Sequence, residues 1–514
     1  MGFDRNGKSG DLRRMSFRNQ TWSASEKELP RRKLGRMLSL LWLPTVPLLM
    51  SLVMNMTGFV SQQAANVLVS VFAICAFLLL IKVVRKGVTL GRIGRIALIA
   101  GFFLWYAYPA MITLLSPSQD FGADLPLAID QETIIAAVAY LSLFILSAVF
   151  ALSLFGEAPQ LQSLMNQPAS PATDPRRLIW LTVIGCVIGL VPIFVMGGGI
   201  IGTLNAILQS RSVDKPWLQT ENLGNSVSAF TYLTSSVMIA STCLLWAVVQ
   251  DKRVSLHLRL MLGLLALAVS ALLFFDQGTR SVSALVLLPP VVLGILNLWR
   301  RSRNGAILIL LLSFGGIVFL LQFQLLFRLD YTRVRLTESL FKDWATLSGT
   351  LDYFKETLIA IGIVPTYHGF FNESVLAQFL ISPIPRFLWP SKPASELVRF
   401  YSLWRWNIDI YQESGNVFPG LVGQFYMSWG IFGPVMAGLL MGWVATSADS
   451  FLGRADARKD PYRSVIGVML VVWAFISYRL LSPGFFYPVA TAALIVYLSR
   501  ESASVSVVPV PRNP

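Results

Sequence analysis

Charge is scarce in this 514-residue chain: Asp, Glu, Lys and Arg make up 13% of it, about half the share usual in soluble domains. Histidine stops at two residues and cysteine at three. So little charge excludes a water-soluble globular protein. Cys75, Cys186 and Cys243 all sit inside apolar runs, which leaves no loop disulfide framework and no Cys-type metal spacing. They read as small packing residues. Also missing are a DxD, an H-x-x-x-H, clustered carboxylates, a phosphate-cradling glycine loop and a G-x-S-x-G. Asp120, Asp124 and Asp130 are too spread out to form a metal set. No metal site and no cofactor is expected.

What the chain does have is long apolar runs. Hydrophobic residues form 54% of it and the mean hydropathy is +0.62. Barrel strands would alternate over about 10 residues, whereas these runs are solid over about 20. The pattern predicts an all-α polytopic membrane protein with about 12 transmembrane helices, near 37–58, 65–84, 94–115, 133–155, 178–198, 226–249, 258–275, 281–299, 305–327, 418–446, 464–480 and 484–499. Pro289-Pro290 should kink the eighth. The predicted organisation is a basic tail (1–36), nine spans (37–327), a large, partly helical loop (328–417), three further spans (418–499) and a short tail (500–514). The polar tail precedes a first span too long for a signal h-region, so no cleaved signal is expected.

The net charge of +15 acquires a meaning once it is placed. With the N-terminal tail inside and the spans alternating, the inside segments hold 29 Lys and Arg against 11 Asp and Glu, and the outside segments 13 against 16. That asymmetry predicts an even number of spans with both termini cytoplasmic. The cluster Arg31, Arg32, Lys33 and Arg36 is then a topology signal facing anionic lipid, and nucleic-acid binding is not expected.

Two outside loops are long: 199–225, after Met196-Gly197-Gly198-Gly199, and 328–417. Long ordered loops on a rigid scaffold usually carry function, so the site is expected to face outward, on the periplasmic side. The larger loop is dense in aromatics, including Tyr367, Trp389, Trp404 and Trp406, which suit either an interfacial belt or a platform for sugar rings. Its apolar stretches Leu358–Ile363 and Val375–Ile381 are too short to span and read as re-entrant or interfacial helices. Outside arginines outnumber lysines, and the planar guanidinium suits bidentate phosphate binding. Arg280 closes the short turn Asp276-Gln277-Gly278-Thr279-Arg280, where it either holds a lipid-linked phosphate or pairs with Asp276 and snorkels. His368, in Tyr367-His368-Gly369, is a candidate general base, with Glu373, Asp409 and Glu413 as rivals.

Three outside features occur together. They are Gly278-Thr279-Arg280; then Tyr367-His368-Gly369 leading to Ile384-Pro385-Arg386-Phe387-Leu388-Trp389-Pro390-Ser391-Lys392-Pro393; then Pro419-Gly420-Leu421-Val422-Gly423-Gln424-Phe425-Tyr426 with Trp429-Gly430-Ile431-Phe432-Gly433. Across about 270–440 this resembles the oligosaccharide repeat-unit polymerases, the O-antigen polymerase (Wzy-type) family. One departure is Gln424, where the pattern leads one to expect an acid.

The resemblance implies a metal-independent glycosyltransferase of the bacterial inner membrane, serving polysaccharide, exopolysaccharide or lipopolysaccharide biosynthesis. A hydroxyl of one lipid-linked repeat unit attacks the anomeric carbon of a glycan on undecaprenyl diphosphate, and the lipid diphosphate leaves. It also implies roles. Arg280 and Arg211 neutralise the diphosphate, Arg386 and Lys392 contact phosphate or sugar, His368 or Glu373 takes the proton, and Tyr367, Trp389, Trp404 and Trp406 hold sugar. The implied partners are the bilayer, undecaprenyl-diphosphate-linked oligosaccharides, and a chain-length regulator and flippase of the same pathway.

Two other functions fit the same architecture. A transporter or flippase also fits twelve spans, although the spans lack buried Asp, Glu, Lys or Arg of the kind proton-coupled carriers use and the long aromatic loop is superfluous to rocking gates. An O-antigen ligase would use the same donor with a different acceptor.

Overall fold

In the computed structural model the described residues are 24–85, 90–115, 130–156, 173–208, 225–277, 280–299, scattered positions in 302–316, 352–371, 375–381, 384, 389, 391, 396–406, 418–454, 460–481 and 483–500. Their regular structure is helical: α1 (Ala24–Thr57), α2 (Gln62–Arg85), α3 (Ile93–Phe102), α4 (Tyr108–Leu115), α5 (Gln131–Gly156), α6 (Pro175–Met196), α7 (Gly199–Leu208), α8 (Asn225–Gln250), α9 (Leu256–Gln277), α10 (Arg280–Trp299), α11 (Tyr353–Ile363), α12 (Val375–Ile381), α13 (Glu396–Trp406), α14 (Gly420–Trp429), α15 (Phe432–Arg454), α16 (Pro461–Ser477) and α17 (Pro483–Leu498). A π-helical turn, Phe103–Ala107, joins α3 to α4.

Eight helices among the described residues are long and apolar enough to cross a membrane, and three more apolar helices of 10–17 residues accompany them. The chain is an all-α membrane protein. Most of the expected span at 305–327 and all of 328–351, the first part of the expected loop, lie outside the described residues. α10 runs on through Pro289 and Pro290.

The expected span 418–446 needs correction. It divides into α14 and α15 at Gly430, whose backbone (φ 58°, ψ −138°) only glycine adopts without strain. Gly433, just beyond, leaves no room for a Cβ: one would lie 2.1 Å from the Phe425 carbonyl oxygen. The apolar run is continuous across the break, so hydropathy cannot reveal it.

Helices in lipid gain little from burying apolar side chains against one another, so close backbone approach and dispersion hold them together. α15 is the spine. Its glycines Gly438 and Gly442 lie against α5, where a Cβ on Gly438 would sit 2.2 Å from the Phe144 carbonyl and one on Gly442 2.5 Å from the Ala148 carbonyl. The paired numbers rise together, so α5 and α15 run parallel. α3 packs on the same spine antiparallel, with Gly91 beside Gly453 and Gly94 beside Ala445. Gly185 and Gly189 seat α6 on Ser241 and Met238 of α8 in the same way.

Polar contacts tie one end of the bundle. Asp449 accepts from the Gly94 amide (2.7 Å) and pairs with Arg95 (2.9 Å), closing the first turn of α3. Asp251 pairs with Arg253 (2.8 Å) and accepts from the Tyr462 hydroxyl (2.6 Å). Arg253 also donates to the Thr173 carbonyl (3.2 Å), and the Asp174 amide to Ser499 (2.9 Å). Apart from Ser499, which ends the last expected span, these residues fall in segments that the charge pattern assigns to a single side.

Candidate functional site at the loop end

The opposite end is built from the long loop. α11 follows Asp352, whose carboxylate caps it by accepting from the Lys355 amide (2.9 Å). At 11 residues the helix is far too short to span, and nearly all of it is buried, so its backbone is satisfied within protein. The expected short helix over Leu358–Ile363, re-entrant or interfacial, is the second half of α11. α11 lies on α14, where Gly423 admits Ala360 and Thr357 and the Thr357 hydroxyl reaches the Pro419 carbonyl (3.4 Å).

Pro419 offers α14 no side-chain cap. Instead the Leu421 amide donates to the Tyr478 carbonyl (2.9 Å) and the Val422 amide to the Tyr106 hydroxyl (3.2 Å), which itself donates to Tyr478 (3.2 Å). Tyr106 comes from the π-helical turn, where the widened backbone breaks the regular register. Gln424 is buried and accepts from the Leu481 amide (3.2 Å). Its role here is to fasten α14 to the 478–481 turn.

α13 covers this base with two adjacent stripes at helical spacing. Leu397, Tyr401 and Arg405 are buried on one. The Tyr401 hydroxyl donates to Glu356 Oε2 (2.5 Å), and Arg405 Nε lies 3.5 Å from the same oxygen. Burial pushes the Glu356 carboxyl above its ordinary value although Tyr401 and Arg405 pull it down; burial likewise raises Asp352. Tyr353, buried beside the Arg479 guanidinium, is pushed up to about 12 and stays a protonated phenol. Arg479 also lies over the Phe418 ring (5.4 Å).

The second stripe, Phe400 and Trp404, meets the segment after α11. His368 stacks on Phe371 (4.2 Å, 7° between planes) and lies 4.8 Å from Phe400; Tyr367 lies 6.1 Å from Trp404. The Phe371 amide donates to the Met427 carbonyl (3.0 Å) and the Tyr426 hydroxyl to Val364 (3.0 Å), fixing this segment to the last turn of α14. His368 Nδ1 is 2.6 Å from the Gly369 carbonyl. A carbonyl only accepts, so Nδ1 donates there and Nε2 is the ring nitrogen that can act as a base. The result is a ledge of half-buried rings, Phe371, Phe400 and Trp404, beside the exposed Tyr367 and His368.

Of the residues singled out from sequence, Tyr367, His368 and Trp404 come together. Trp389 is half exposed, and its indole N–H is taken by Ser391 Oγ (3.1 Å). Arg280 opens α10 and Trp406 closes α13, but their side chains lie outside the description. Arg211, Glu373, Arg386, Lys392, Asp409 and Glu413 lie outside the described residues altogether. Sequence reading missed Glu356 as a buried carboxylate. The available signal was one acid and one lysine in an otherwise apolar 11-residue helix.

Residues 342–456 match a family described as a domain of unknown function, DUF8712. The match joins the loop helices to α14 and to essentially all of α15, the elements that build this site. Comparison with curated proteins and with solved structures gives no match.

Proposed function

We propose that this protein is a membrane glycosyltransferase, a polysaccharide polymerase that transfers a growing glycan from undecaprenyl diphosphate onto a second lipid-linked repeat unit. The observation that carries this reading is the ledge: an accessible imidazole base among Tyr367, Phe371, Phe400 and Trp404, on a buried platform at the loop end of the bundle. Its support is the juxtaposition of these groups together with the resemblance over 270–440.

Sugar C–H faces pack on Tyr367 and Trp404. His368 Nε2 takes the proton from the acceptor hydroxyl as that oxygen forms its bond to the donor's anomeric carbon. The anomeric C–O bond to diphosphate breaks, and undecaprenyl diphosphate departs with the electron pair. Cationic groups must meet that charge. Arg280 and Arg211 hold this role by resemblance; among the described residues Arg399, Arg405 and Arg479 are arginines at this end, with Arg405 buried against Glu356 and Arg399 exposed on α13.

Deleting the gene in its host separates this reading from its rivals. A lost polymerase leaves single repeat units on the surface polysaccharide. A lost ligase or flippase leaves none, and that result would refute the proposal.

A further inference from the structure

Where α14 breaks from α15 there is an apolar groove of about 430 Å3, lined by Phe370, Ser428, Trp429, Phe432 and Met436. Its depth follows from α5. The apolar stretch Gln131–Phe155 has 25 residues. At 1.5 Å per residue it is about 37 Å long, slightly more than the roughly 30 Å hydrocarbon layer. Tyr140 packs 5.0 Å from Tyr426. Tyr140 is nine residues along α5, so the last turn of α14 lies about 13 Å in from the loop-side end of that helix. The groove is thus at the depth of lipid chains, not of water.

Two further features say what fills it. The open side continues into Ile431 of the turn and Phe432 and Met436 of α15, all exposed, with Phe432 at 73%. Such a face on a spanning helix is covered by the bilayer. The inner wall is Phe370, whose ring packs on Tyr426 (5.8 Å) and against Gly430, two residues beyond His368. A chain lying in the groove therefore brings its headgroup to the ledge.

We propose that this groove binds the first isoprene units of the polyprenyl chain of the lipid-linked substrate, admitted sideways from the loop-side leaflet through the break between α14 and α15. The assignment rests on the glycan-transfer reading but is tested without turnover. The groove is too small for a whole polyprenyl chain, so the remainder lies in the bilayer along α15.

The test uses the full-length protein in lipid nanodiscs with photoreactive undecaprenyl monophosphate, the labelled peptides being mapped by mass spectrometry. Label is expected on Ser428–Met436, competed by unlabelled undecaprenyl phosphate and not by phosphatidylglycerol. Met436→Trp, which fills the groove, should lower it about ten-fold, and Phe432→Ala should lower it in the same direction. The Phe432 ring is exposed and outside the buried core, so that variant stays informative if Met436→Trp fails to fold. Trp443→Ala, on an exposed position further along α15, should leave label unchanged. Unchanged label in both groove variants, equal competition by phosphatidylglycerol, or a cross-linked second copy of the chain at Phe432 would each overturn the proposal. Specific labelling without any glycan transfer would instead count against the enzymatic reading alone.

Discussion

Gly438→Ala adds a single methyl group and should cost this protein about 2–3 kcal/mol of stability, at the upper end for overpacking a close interface. The added Cβ would lie 2.0 Å from Ser147 Oγ and 2.2 Å from the Phe144 carbonyl oxygen, both on α5. The serine hydroxyl can rotate, but the carbonyl belongs to the helix backbone. It would have to retreat by roughly 1.2 Å to reach an ordinary contact, and a gap of about 0.5–1 Å already forfeits a quarter to a half of the dispersion well along an interface. Because α15 also seats α3, α14 and α16, the loss is not confined to one pair. The assay is unfolding in graded SDS from a fixed neutral detergent, followed by far-UV circular dichroism. Gly294→Ala is the control: nothing lies within 4 Å of its added Cβ, so it should be neutral or gain up to about 1 kcal/mol of helix propensity. Adding Ser147→Ala to Gly438→Ala removes only the hydroxyl and should not restore stability. A Gly438→Ala protein within about 0.5 kcal/mol of wild type, or a full rescue by Ser147→Ala, would refute the packing argument.

Three other variants probe the two ends of the bundle. Burial raises the Glu356 carboxyl, so the folded protein holds that proton more tightly than the unfolded chain. Its contribution is therefore fully present below the ordinary glutamate value of about 4.3 and is lost as pH rises through the raised folded value. Glu356→Gln should flatten that part of a stability–pH profile, and an unchanged slope would contradict it. Asp449→Asn removes the charge from a buried group that holds the Gly94 amide and Arg95; a loss of about 1–3 kcal/mol is expected in the same unfolding assay, and none would show that the pairing is idle. Arg280→Lys should preserve expression yet abolish long polysaccharide chains on a gel, because lysine lacks the planar fork; normal chain length would remove Arg280 from the diphosphate role.

Helix content and membrane residence were legible in the sequence because solid apolar runs state both directly. The break at Gly430 was not legible. It interrupts backbone geometry without interrupting hydrophobicity, and its reason lies in what the turn packs against, Phe370 and Phe425. The site divides in the same way. Tyr367, His368 and Trp404 stood out by residue type, and their rings share a ledge. Glu356, Tyr401 and Arg405 do not stand out as a group among the loop's acids, aromatics and arginines, because spacing within one helix says nothing about the other helix that buries them. Gln424 is a further lesson: an amide in place of an expected acid is here fastened to the Leu481 backbone.

Whether the ledge transfers sugar is tested most directly by incubating the purified full-length protein with undecaprenyl-diphosphate oligosaccharides in EDTA and resolving the products on a gel. A ladder of repeat units is expected from wild type, and a loss of roughly 100-fold or more in rate from His368→Gln, which keeps shape but not basicity. No ladder from a substrate that is demonstrably bound, or an undiminished ladder from His368→Gln, would contradict the account, the first in its chemistry and the second in its choice of base.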